Sequence, residues 1–95
     1  EQAREEARRC AWILIEEYGA SRVWLIGSAV GEWIFHDYSD VDIVVEGLDE
    51  RTFTRAWTRI PEFSRFKIDL RPRDEFTDEQ WARLIPAPCL LAQEA

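Results

Sequence analysis

The chain contains no methionine, a single histidine and only two cysteines. No stretch approaches the roughly 20 consecutive apolar residues that a bilayer-crossing helix requires. The absence of an initiator methionine leads us to expect a longer chain, of which these 95 residues are the ordered part. The opening "EQAREEARRC" mixes charges and so lacks the apolar core of a secretory signal. Cys10 and Cys89 stand far apart, without metal-ligand spacing and among apolar neighbours such as Ala11 and Leu90. That excludes a zinc knuckle or a disulfide framework and fits small buried thiols in a reducing compartment. We therefore expect a soluble, cytoplasmic protein with no membrane association. Twelve basic against nineteen acidic residues give a net charge of −7, which argues against direct binding to a nucleic-acid backbone. Five tryptophans are more than one small core readily hides, so part of that aromatic surface is expected at a protein interface. The length fits one domain, residues 1–95, and leaves little room for a second substrate-binding unit.

Hydrophobic periodicity divides this domain into alternating elements. From Gln2 to Tyr18, Ala7, Cys10, Ala11, Leu14, Ile15 and Tyr18 recur at helical spacing, and Gly19 follows as a stop. Trp12 falls on the opposite, charged face and is an interface candidate. Val23–Ile26 reads as a short strand ending at Gly27 and Ser28, and "SAVGEWIF" after it as a helical turn or two. Asp40–Glu46 is a second strand closed by Gly47. Asp49 caps a helix from Glu50 to Arg59, with Phe53, Ala56, Trp57 and Ile60 as its apolar face and Pro61 as its end. In the next strand Phe66, Ile68 and Leu70 point one way, while Lys67, Asp69 and Arg71 point the other. Thr77 with Gln80 forms a capping box for a last helix carrying Trp81, Leu84 and Ile85, which Pro86 and Pro88 terminate. The predicted class is α/β (α+β): a small mixed sheet of three to four strands flanked by four helices. Trp24, Trp57 and Trp81 fit core stripes, whereas Trp12 and Trp33 fit a partner surface better.

The chemistry concentrates at the front of the second strand. Residues two apart in a strand share a face, so Asp40 and Asp42 sit about 6 to 7 Å apart along the backbone. Two such anions repel unless a hard divalent cation lies between them, and Mg²⁺ combines carboxylates, waters and substrate phosphates. Asp69, on the polar face of a later apolar strand, is placed to complete a second metal position or to take a proton from an attacking hydroxyl. Gly27 lets backbone approach a ligand, and amides beside the Ser28 hydroxyl are suited to an anion. Ser39 reads as a turn residue before the strand and His36 as a loop histidine.

The run Ile26-Gly27-Ser28, then Asp40-Val41-Asp42, then the strand "KIDL" around Asp69 resembles the DNA polymerase beta superfamily of nucleotidyltransferases. Specifically it is similar to the minimal nucleotidyltransferase branch, the antitoxins of HEPN/MNT pairs. The resemblance implies the nucleotidyltransferase fold and Mg²⁺-dependent transfer of AMP from ATP to a hydroxyl. It makes Asp40, Asp42 and Asp69 the catalytic ligands of one or two Mg²⁺ ions and gives the phosphates to Gly27 and Ser28. The implied partner is a small helical HEPN-type toxin, modified on a hydroxyl such as a tyrosine's. The branch commonly carries Arg-Gly after Gly-Ser; here Gly31 and Glu32 stand there, so Lys67 and Arg71 are the cations expected to balance the triphosphate. Two alternatives stay open: an antitoxin that neutralises by binding alone, and transfer to a small molecule.

Overall fold

In the computed structural model, residues 2–27 and 40–95 are described, with the side chains of residues 2, 3 and 40 excepted. Helix α1, Gln2–Tyr18, is followed by strands β1, Arg22–Ile26, and β2, Asp40–Glu46. Helix α2, Glu50–Arg59, and a 3-10 turn lead into β3, Lys67–Pro72; helix α3, Asp78–Ala82, and strand β4, Cys89–Gln93, complete the chain. The class is α+β, with one mixed sheet of four strands in the order β3-β2-β1-β4 and three α-helices among the described residues. The further expected turn at 28–35 lies outside them, as do Ser28, Trp33, His36 and Ser39. No helix among the described residues is long and apolar enough to cross a membrane.

Strands β1 and β2 pair antiparallel, whereas β2 and β3 are parallel. A parallel pair needs a crossover connection, which α2 supplies. The core lies on one face of the sheet. Ala7, Cys10, Ala11 and Leu14 of α1 and Ala56 with Ile60 beyond it meet Val23, Leu25, Val41, Ile43, Ile68 and Leu70, all buried. The two-residue alternation of each strand produces this sidedness, sending Trp24, Asp42, Asp69 and Arg71 to the other face. Burial pushes the Cys10 thiol up to about 11, so it stays a neutral, inert core group at physiological pH.

Three expectations on the apolar residues are corrected. Trp57 is 56% exposed. At about 100° per residue it falls on the flank of the stripe centred on Phe53, Ala56 and Ile60, so it overhangs the edge of the core. Helix α3 ends at Ala82, short of Leu84 and Ile85, and Ile85 is 93% exposed rather than packed. The segment after Pro88, to which the periodicity assigns no element, forms β4 against β1, with Leu91 and Ala92 buried. Trp24 and Trp81 leave the main core and stack edge-to-face, ring centroids 5.0 Å apart, on the opposite face. Trp12 is exposed, as its place on the charged face of α1 required.

The caps behave as expected. Thr77 and Gln80 satisfy each other's backbone N–H groups in a full capping box at α3. At α2, Asp49 Oδ1 accepts the Thr52 N–H at 2.8 Å. That bond, then the Thr52 hydroxyl, holds the Asp49 carboxyl below its ordinary pKa. A carboxylate with a depressed folded pKa contributes stability above its unfolded pKa and loses it as pH falls through the folded value. Replacing Asp49 with Ala should therefore lower Tm at neutral pH, and the difference should shrink as pH falls through the folded pKa of Asp49. A difference that persists undiminished in acid would assign the effect to helix propensity instead.

Candidate functional site

The site is built where three strands end side by side. In the parallel ladder Asp42 is the direct neighbour of Asp69, and Asp40 of Lys67. Direct neighbours on adjacent strands lie about 4.8 Å apart and share a face, so the Asp42 and Asp69 side chains leave the sheet together. On the other side of Asp42 stands Ile26 of β1, and Gly27 follows it at once. Gly27 has φ +81°, and a Cβ placed on it would stand 3.0 Å from Asp42 Oδ2. A side chain here would press on that carboxylate, and only glycine takes this backbone conformation without strain.

The lower half of the same face is closed. Trp24, the register neighbour of Val44, stacks on Trp81, which in turn lies against Phe76 at 5.4 Å and under the Arg73 guanidinium at 4.4 Å. Arg73 is fixed by Asp78 at 3.2 Å. Helix α3 thus covers the Val44 end of the sheet face and stops short of the acid pair. Asp42 is half-buried and the Asp69 side chain 36% exposed, so a ligand reaches both from solvent.

Arg71 governs the charge here. Its guanidinium holds Asp69 Oδ2 at 3.1 Å and Glu75 Oε2 at 3.0 Å. Partial burial works against its charge, but Asp69 and Glu75 outweigh that and keep its pKa above the usual arginine value. The like charges of Asp42 and Asp69 are thereby partly offset on the Asp69 side, which is what lets neighbouring strands carry them directly opposite each other. Lys67 is exposed at the start of β3, level with Asp40.

A hard divalent cation suits this donor set: two carboxylates on one face, with a glycine giving space beside one of them. Among the described residues no three His, Cys, Asp or Glu side chains gather into a metal-binding group. Asp42 and Asp69 are the described pair, and Asp40 occupies the register position two residues earlier on the same strand. Of the residues singled out from sequence, the fold brings Gly27, Asp42, Asp69 and Arg71 together; Trp12 lies on α1, outside this group. Glu75 was not singled out, because only the fold shows Arg71 reaching one turn onward to it. No family model matches the chain, and no curated protein matches it.

Proposed function

We propose that this chain is a Mg²⁺-dependent minimal nucleotidyltransferase that moves AMP from ATP to a hydroxyl of a partner protein, in the manner of antitoxins that modify a tyrosine of a HEPN-type toxin. The observation that carries the reading is the Asp42–Asp69 register with Gly27 against the Asp42 carboxylate. It supports a phosphate-handling site because the acid pair and the glycine beside it coincide at one end of the sheet.

Asp42 and Asp69, with Asp40, would hold the Mg²⁺, which when bound neutralises the charge developing on the transferring phosphoryl group. Gly27 leaves room for the triphosphate to lie close to the backbone beside Asp42. Asp69 takes the proton of the attacking hydroxyl as that oxygen bonds to the α-phosphorus and the bond to pyrophosphate breaks. Arg71 is a positioning residue: its bond to Asp69 Oδ2 fixes the carboxylate's rotamer and leaves the other oxygen for chemistry. The protein thus supplies orientation and electrostatics, the two contributions phosphoryl transfer depends on most.

Labelled ATP, Mg²⁺ and a HEPN-type toxin incubated with the protein should yield labelled toxin with release of pyrophosphate. Absence of label on an active toxin preparation counts against the proposal. A second reading, neutralisation by binding alone, is favoured by the engagement of Arg71 with Asp69 and Glu75, which leaves less positive charge for a triphosphate. The Asp40→Ala, Asp42→Ala double variant separates the two: neutralisation that survives it needs no chemistry.

A further inference from the structure

A groove of about 460 Å³ runs along β3, which has a strand neighbour on one side only among the described residues. Trp57, Pro61 and Ile68 give it an apolar wall, Lys67 a cation and Asp69 a carboxylate. Asp69 therefore belongs to both the acid pair and the groove. The strand order sets Gly27 and β1 on one side of Asp42, and Asp69 with this groove on the other.

Phosphoryl transfer places the attacking and leaving oxygens roughly in line. If pyrophosphate leaves on the Gly27 side, the hydroxyl enters from the β3 side. We propose that the groove receives the acceptor, a tyrosine-bearing segment of a partner protein with a carboxylate next to the tyrosine, its ring against Trp57 and its carboxylate on Lys67. The direction of approach rests on the nucleotidyl-transfer reading. Within 51–73 seven basic residues stand against two acidic ones, but Arg71 and Arg73 pair with Glu75 and Asp78 just beyond, so Lys67 in the groove is the cation that favours an acidic segment. A single-stranded nucleic acid needs a track of cations for its phosphates. Here Arg59 is joined to Glu62, Arg71 to Asp69 and Glu75, and Arg73 to Asp78, and among the described residues Lys67 is the one basic side chain that lines the groove. An exposed tryptophan beside one cation fits a ring and one carboxylate.

The test follows the Trp57 indole N–H resonance, assigned by its loss in Trp57→Phe, as the full chain is titrated with a blocked Glu-Glu-Tyr-Glu peptide. The peptide should shift that resonance, Lys67→Glu should weaken binding about tenfold or more, and a blocked Lys-Lys-Tyr-Lys peptide should bind at least about tenfold more weakly. No shift at millimolar peptide, or a larger one with ATP alone or with a short oligonucleotide, overturns the assignment. The underlying reaction is read separately. Peptide binding retained without any AMP transfer keeps the groove and removes the reaction; AMP transfer to the partner with an unchanged KM in Trp57→Ala keeps the reaction and removes the groove.

Discussion

Replacing Asp42 with Asn should abolish AMP transfer, by about 10³-fold or more, while the protein stays folded. That factor corresponds to about 4 kcal/mol of lost transition-state stabilisation, the scale on which single electrostatic groups act in such sites. Asn keeps the shape of the side chain beside Gly27, so the packing around Ile26 and Ile43 is untouched. It removes the charge that a divalent cation requires. It also relieves the repulsion between neighbouring carboxylates, so Tm should change by no more than a few degrees. Asp69→Asn should lose comparable activity, with a distinguishing mark: among the described residues Arg71 then keeps Glu75 as its charged partner. Arg71→Ala should act through Asp69, lowering kcat more than it raises KM for ATP, because it loosens the acceptor of the proton rather than the nucleotide. The assays are pyrophosphate release and thermal melting on the same preparations. An Asp42→Asn protein that melts like the parent and still transfers AMP at parental rates would remove Asp42 from the chemistry.

Much of this site was legible because strands advertise their faces. The alternation around Asp42 and around Asp69 assigns each acid to a polar face, and Gly27 and Asp49 announce a turn and a cap by residue type alone. Those features depend on neighbours within a few positions. What joined Asp42 to Asp69 is the register of a parallel pair, decided by how α2 packs across the sheet, and no local pattern carries that. The tryptophans show the same divide. Trp57 sits at helical spacing with Phe53 and Ile60, yet a flank position is enough to leave it half outside, and the neighbouring β3 edge turns that into a groove wall. Trp81 fits an apolar stripe too, but its helix is too short to reach the core and packs through Trp24 instead. Strand β4 had a signal, the run Cys89-Leu90-Leu91-Ala92 after two prolines, but periodicity alone does not tell so short an apolar run as a strand from another buried segment.

The largest stability effect should come from Gly47→Ala, and Gly19→Ala is its control. Both glycines have positive φ, +98° and +82°, where an L side chain is strained by about 1 to 2 kcal/mol. A Cβ on Gly19 meets nothing within 4 Å among the described residues, so that strain is the effect expected there. A Cβ on Gly47 would lie 2.8 Å from the Ser21 backbone nitrogen and 2.9 Å from its Cβ. Ser21 cannot step aside: its N–H donates to the Glu46 carbonyl and its carbonyl accepts from the Glu94 N–H, each at 2.8 Å, tying the start of β1 to the ends of β2 and β4. Overpacking against fixed backbone adds about 1 to 3 kcal/mol. The expected sum is about 3 kcal/mol or more, a fall in Tm of about 15 °C, against about 5 °C for Gly19→Ala. Changing Ser21 to Gly in the Gly47→Ala background removes the side-chain contacts but not the backbone one, so it should restore part of the loss. Equal losses for Gly19→Ala and Gly47→Ala would show that Ser21 does yield. Gly27→Ala completes the comparison. Its φ is also positive, but its only close neighbour among the described residues is Asp42 Oδ2 at 3.0 Å, the tip of a side chain. Its stability loss should resemble that of Gly19, while its AMP transfer falls with that of Asp42→Asn, because the carboxylate moves to make room.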